Sequence, residues 1–298
     1  MSYHQPVLLK ETIDHLMVRP DGTYIDLTYG GGGHSAEIIK RLKKGRLIAF
    51  DQDRDAESNA VKDKRFFFIR GNFRYVKNFL RFEDVVEVDG AIADLGVSSH
   101  HFDEAGRGFS FRYNSQLDMR MNREASLTAK KILNEYREED LRRILQTFGE
   151  LRNAEQLSRA IVKAREQSPL ELVADLLTTL ERCLPKQNQN KYLAKVFQAL
   201  RIEVNDEMNA LAEMLEQVTG LLKSGARFAV ITYHSLEDRL VKNLFKSGNL
   251  DGEIRQDFYG NKELMYLQVN KTVIRPDEDE LKQNPRARSA KLRVGEKI

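Results

Sequence analysis

The segment Tyr24-Ile25-Asp26-Leu27-Thr28-Tyr29-Gly30-Gly31-Gly32-Gly33-His34 runs an apolar stretch into four glycines and then into a helical pattern. Residues without a Cβ let backbone approach a ligand where a side chain collides, and the following helix offers unpaired amides to a carboxylate or phosphate. The chemistry indicated is anion binding. Eighteen residues beyond Gly33 stands Asp51, at the end of a second apolar run, where an acidic side chain grips the two hydroxyls of a ribose. Together these features describe an adenosine-containing cofactor. A third acid, Asp94, ends a fourth apolar run in Asp94-Leu95-Gly96-Val97-Ser98-Ser99. That is the sheet edge at which doubly wound folds hold ligands.

A dinucleotide is the first rival, and its G-x-G-x-x-G fingerprint started at Gly30 needs a glycine at the position of Ser35. The match fails there. Asp26 four residues before Gly30, with Gly32 after it, instead resembles the first motif of class I S-adenosylmethionine methyltransferases, although Thr28 stands where that motif often has glycine. After the third apolar run comes Arg70-Gly71-Asn72-Phe73, and Phe73 is placed either to cover an adenine ring or to pack in the core.

The elements that must position these residues follow from periodicity. Strands are expected over Thr23 to Thr28, Arg46 to Phe50, Arg65 to Ile69 and Gly90 to Leu95, with a helix at Ser35 to Lys44 showing Ile38, Ile39 and Leu42 on one face. This alternation is the signature of a parallel sheet covered by helices. From about Ser126 to Val204 it gives way to helical spacing, as in Leu141, Ile144, Leu145 and Phe148. A long helix is expected from Tyr192 to Leu222, then a fifth strand over Arg227 to Thr232. The fold class is therefore α/β, a Rossmann-like doubly wound sheet with an inserted all-helical domain. Its parts are residues 1–113 with 206–298, and an insertion of 114–205.

With 298 residues, 41% hydrophobic and 31% charged, the chain is too apolar for disorder and large enough for a sizeable core. The start MSYHQPVLLKETIDHL lacks a leader pattern and no stretch reaches the length of a membrane span, so a cytoplasmic protein without membrane contact is expected. A single cysteine, Cys183, excludes an internal disulfide framework. The six histidines have no paired ligand spacing, and no catalytic metal is expected. Net charge is only +3, but Lys282 to Lys297 carries six basic residues against one acidic residue and reads as a solvated tail or a nucleic-acid contact.

Eight segments then carry a closer resemblance: His4-Gln5-Pro6-Val7-Leu8-Leu9; Gly32-Gly33-His34-Ser35; Asp94-Leu95-Gly96-Val97-Ser98-Ser99; Arg107-Gly108-Phe109-Ser110-Phe111; Leu117-Asp118-Met119-Arg120-Met121; Phe197-Gln198-Ala199-Leu200-Arg201-Ile202; His234-Ser235-Leu236-Glu237-Asp238-Arg239; and Asn284-Pro285-Arg286-Ala287-Arg288-Ser289. In this order they resemble the bacterial 16S rRNA cytosine-N4 methyltransferases, the MraW or RsmH family. The resemblance implies a class I methyltransferase domain interrupted by a helical substrate domain, S-adenosylmethionine as cofactor, and methylation of one cytidine in the decoding region of 16S rRNA. The implied partner is 16S rRNA in the assembled small subunit; monomer or homodimer is left open. Carried over by motif position, the cofactor contacts fall on Gly32, Gly33, His34, Asp51, Phe73 and Asp94. A further one falls on His101, where family members often have glutamine.

Cytosine N4 is a poor nucleophile because its lone pair is delocalised into the ring, so the enzyme must align the amine with the sulfonium methyl and accept hydrogen bonds from it. Asp94 is the natural acceptor, or it positions the cofactor; the residues leave both open. Methylation at ring carbon C5 needs a cysteine thiolate, and Cys183 lies in the insertion's helical pattern. The Pro-Pro-aromatic motif of amine-methylating DNA enzymes is absent, which favours RNA. Arg107, Phe109, Phe111 and Arg112 interleave cations with aromatics, as base stacking and phosphate contact require, unless they form a hydrophobic hinge. Ser235 and Asp238 have capping-box spacing, which leaves His234 to face the substrate. Readings from other classes are an NAD-dependent oxidoreductase and a non-catalytic RNA-binding module.

Overall fold

In the computed structural model, which describes residues 6–96 and 106–298, the apolar runs become strands of one sheet. The strands are β1 (Thr23–Asp26), β2 (Arg46–Asp51), β3 (Phe66–Arg70), β4 (Val88–Asp94), β5 (Leu222–Thr232), β6 (Tyr266–Gln268) and β7 (Lys291–Lys297). Their order is β3-β2-β1-β4-β5-β7-β6. The first five lie parallel, and β7 runs antiparallel between β5 and β6. This is the sheet of a class I S-adenosylmethionine methyltransferase, with its order reversing between β1 and β4.

Central strands covered on both faces need continuous apolar runs. In β4, Ala91, Ile92 and Ala93 are all buried, and so are Ile25 in β1 and Ile48 to Phe50 in β2. One face packs Val76 and Leu80 with Leu211, Met214, Leu215 and Val218 of the helix Glu207–Leu221. The other packs Ile13, Leu16, Ile38 and Ile39 from the helices Leu9–Leu16 and Gly33–Arg41.

The chain divides into two compact units, Met1–Gly96 with Met208–Ile298, and Val97–Glu207; the hydropathy pattern puts these borders at 113/114 and 205/206. The second unit is helical, with Ala129–Glu135, Glu138–Thr147, Ala154–Arg165, Val173–Leu180 and Gln189–Asn205 around their own core. Leu141, Ile144, Leu145, Leu157 and Ile161 face that core as their spacing predicts.

Two expectations change. The single helix from Tyr192 to Leu222 is two helices, Gln189–Asn205 and Glu207–Leu221, because Asp206 adopts a left-handed conformation with φ of 50°. The Arg201 guanidinium spans the break, with Nε and Nη2 donating to the two carboxylate oxygens of Glu207 at 2.8 and 3.0 Å. The basic end of the chain is no solvated tail. Residues Lys291–Lys297 form β7, Leu292 and Val294 are buried, and Lys291 and Arg293 donate to Asp238 at 3.0 and 2.7 Å.

Candidate active site

Because β1 to β5 run parallel, their carboxyl ends share one edge, and the reversal between β1 and β4 opens the crevice where such sheets bind ligands. Asp26 ends β1 with 1% of its surface exposed. Its Oδ2 accepts from the Ser35 hydroxyl at 2.6 Å and its Oδ1 from the Thr28 amide at 3.1 Å. Burial pushes this carboxyl up to about 6 against the pull of those two bonds, with Asp51 adding repulsion. Asp26 therefore acts through the turn it holds together.

The glycines of that turn are needed first for packing within the chain. Gly32 has φ of 75°, and a Cβ on it would overlap the Tyr29 ring; one on Gly33 would overlap Pro6. Gly32 is the N-cap of the helix Gly33–Arg41 and has no side chain to offer as a cap. Among the described residues no acceptor reaches the amides of Gly33, His34 and Ser35. Such a helix end carries partial positive charge and receives a carboxylate.

His34 is buried, with Nε2 3.1 Å from the Val7 carbonyl oxygen. A carbonyl only accepts, so Nε2 carries the proton. Burial holds this imidazole down at about 4, hence neutral, and its Nδ1 lone pair lies 4.0 Å from Asp94 Oδ2. At the end of β2, Asp51 accepts from the amides of Gly30 and Asp53, each at 2.8 Å, which ties the glycine turn to the neighbouring strand. At the end of β3, Asn72 caps the short helix Phe73–Tyr75 by accepting from the Arg74 amide and donates to Gln52 Oε1 at 3.1 Å. Phe73 is half-buried against the sheet core.

Asp94 ends β4. Its amide donates to Thr28 Oγ1 at 2.6 Å, so the threonine that departs from the usual glycine ties the ends of β1 and β4 together. Its Oδ1 accepts from the Tyr233 hydroxyl at 2.7 Å. The side chain keeps 25% exposure, while withdrawal from water pushes its carboxyl up to about 7; the Tyr233 bond opposes this, and Asp26, Glu237 and Glu280 reinforce it. A carboxylate that titrates near neutrality suits proton acceptance.

Other expectations are corrected here. The capping box of the helix Ser235–Ser247 is made by His234 and Glu237, one residue earlier than Ser235 and Asp238. The Glu237 Oε2 accepts from the amides of Tyr233 and His234 at 2.8 and 3.3 Å, and His234 Nδ1 accepts from the Glu237 amide at 3.4 Å. Thus His234 is a helix cap, where the sequence had it facing the substrate. In the helical unit, Arg107 is 5% exposed and donates to the carbonyls of Arg120 and Met121 at 2.7 and 3.0 Å. Phe109 is buried, and Phe111 packs edge-on against Phe197 with ring centroids 5.5 Å apart. Arg107 and Phe109 are thus taken up by packing, since the buried cation satisfies chain carbonyls; only Arg112 of that segment's cations is exposed. His101, like Val97 to Ser99, lies outside the described residues.

A family model described as the MraW methylase family matches residues 1–298. The chain belongs to the MraW methylase family. Relatives include the ribosomal RNA small subunit methyltransferase H of Bacteroides fragilis (strain YCH46), 56% identical over 297 residues, covering 99% of this chain and 98% of the relative. The protein of the same name from Flavobacterium johnsoniae is 53% identical, covering 100% of this chain and 99% of the relative. An MraW methylase transfers a methyl group, and its donor is S-adenosylmethionine. The chain's own residues fit that donor: among the described residues no acceptor reaches the amides at the helix start, as a carboxylate ligand requires, and Asp51 ends β2 where an acid that binds ribose is expected.

Sequence reasoning named neither Tyr233 nor Glu280 for this MraW site. Tyr233 had a signal, since it follows a strand whose end lies beside that of β4. Glu280 had none: its Oε1 accepts from the Leu8 amide at 2.8 Å, a contact across almost the whole chain.

Proposed function

We propose that the chain methylates the exocyclic N4 of one cytidine in the decoding region of 16S rRNA, presented by the assembled small subunit. The observation that supports this best is Asp94, a carboxylate at the β1/β4 crevice that titrates near neutrality and keeps Oδ2 clear of hydrogen bonds among the described residues. Bound S-adenosylmethionine would supply an electrophilic methyl, with its sulfonium sulfur as the leaving group that keeps the electron pair of the broken bond. The N4 lone pair forms the new bond to carbon, and the N4 proton passes to Asp94 Oδ2. The relatives' names support rRNA as the substrate.

Carbon methylation by a thiolate finds no support. Cys183 is half-buried in the short helix Glu181–Cys183 of the helical unit, and burial pushes its thiol up, away from the reactive anion. The helical unit is the substrate-recognition domain in this reading. Its exposed Arg112 is the phosphate contact retained from the Arg107 to Arg112 segment. No helix among the described residues is long and apolar enough to cross a membrane, and a cytoplasmic enzyme is in keeping with an rRNA substrate.

The test is nucleoside mass analysis of 16S rRNA from cells lacking the gene, followed by incubation of their small subunits with purified protein and S-adenosylmethionine. One N4-methylcytidine should vanish and be restored by the protein. Loss of a C5-methylated cytidine instead, or an unchanged nucleoside profile, would overturn the assignment.

A further inference from the structure

A carboxylate is an effective acceptor only if one oxygen is held toward the incoming proton. Among the described residues the Tyr233 hydroxyl is the one side-chain donor that reaches Asp94, and it takes Oδ1. Tyr233 is itself fixed at both ends. Its amide donates to Glu237 Oε2, and its ring lies against Gly96, whose φ of 100° suits glycine and where a Cβ would come within 3.2 Å of the ring. We propose that Tyr233 is a positioning residue for methyl transfer, holding Asp94 by Oδ1 so that Oδ2 is presented to the amine. This rests on the reading of Asp94 as the acceptor.

Among the described residues the hydroxyl is the one side chain whose hydrogen bond favours the charged form. Asp94 is faced by Asp26 at the end of β1, His34 on the helix Gly33–Arg41, Glu237 on the helix Ser235–Ser247 and Glu280 on the helix Glu278–Gln283. Three of these are carboxyls that repel a second charge, and the neutral imidazole turns a lone pair toward Oδ2. Burial beside Asp94 keeps the Tyr233 phenol well above its ordinary range, so it stays a donor throughout the working pH. Loss of the hydroxyl therefore frees the carboxylate to rotate and raises its pKa further.

The test is Tyr233→Phe, which keeps the ring against Gly96. Rates on small subunits from cells lacking the gene should fall about tenfold in kcat at neutral pH, with KM for S-adenosylmethionine and for the subunit within about twofold of wild type. The acid limb of the kcat profile should move to higher pH, so that the deficit narrows in alkali. Wild-type kcat with an unmoved acid limb overturns the proposal. So does a pH-independent loss accompanied by a lowered melting temperature, which marks packing alone. Asp94→Asn separates the two readings. If it is active, Asp94 is no acceptor and both fall; if it is inactive with cofactor affinity intact while Tyr233→Phe behaves as wild type, only the positioning role falls.

Discussion

Asp26→Asn tests whether the cofactor turn rests on a buried carboxylate whose charge costs stability. Asparagine keeps the shape and an oxygen for the Thr28 amide, and the Ser35 hydroxyl can turn to accept from the new amide, but the group no longer ionises. An acid raised on folding from 3.8 to about 6 binds more protons folded than unfolded between those values. Its charged form is therefore penalised: the wild-type protein loses stability as pH rises through this window, and the whole penalty is present above the folded value. A shift of about two units corresponds to roughly 3 kcal/mol, of which about 2 kcal/mol falls between about pH 4.5 and about pH 7.5. With 1% exposure there is little solvent to screen it. Urea unfolding of both proteins across that range gives the difference directly, and Asp94, which titrates in both, largely cancels. The stability of Asp26→Asn relative to wild type should grow by about 2 kcal/mol as pH rises. A difference constant to within about 0.5 kcal/mol would refute the picture of a charged, desolvated Asp26.

Asp51→Ala should weaken S-adenosylmethionine binding at least about tenfold by calorimetry, since it removes charge-assisted hydrogen bonds and unties Gly30, whereas the exposed Lys43→Ala should not; equal affinities would remove Asp51 from the ribose site. Arg107→Ala should destabilise the protein by about 3 kcal/mol in urea unfolding because two carbonyls lose a charged donor and the packing of a buried side chain is lost. Arg112→Ala should leave stability within about 0.5 kcal/mol and lower the salt slope of small-subunit binding, so the two arginines part company in paired stability and binding measurements. Cys183→Ser should keep full turnover, and loss of activity in a folded variant would reopen a thiolate route.

What the sequence determined by itself is what depends on neighbours along the chain. Period and run length located the carboxyl ends of the first five strands to within about two residues, and the glycine turn, Asp51 and Asp94 were legible because each lies at or just beyond the carboxyl end of a parallel strand. The same local logic marked the helical stretch and placed Leu141, Ile144, Leu157 and Ile161 inward. What required the tertiary structure was which of several compatible partners each side chain takes. Arg107 resembles a phosphate ligand until chain carbonyls from Arg120 and Met121 close on it, because a cation withdrawn from water must be satisfied wherever the fold leaves it. His234 and Glu237 form the capping box in place of Ser235 and Asp238 because Asp238 is drawn to Lys291 and Arg293 of a strand that sequence alone left as a tail. The electrostatics of Asp94 lie wholly at this level: Asp26, Tyr233 with Glu237, and Glu280 come from three separate segments; withdrawal from water lifts that carboxyl to about 7, the three acids reinforce the rise and the Tyr233 hydroxyl opposes it.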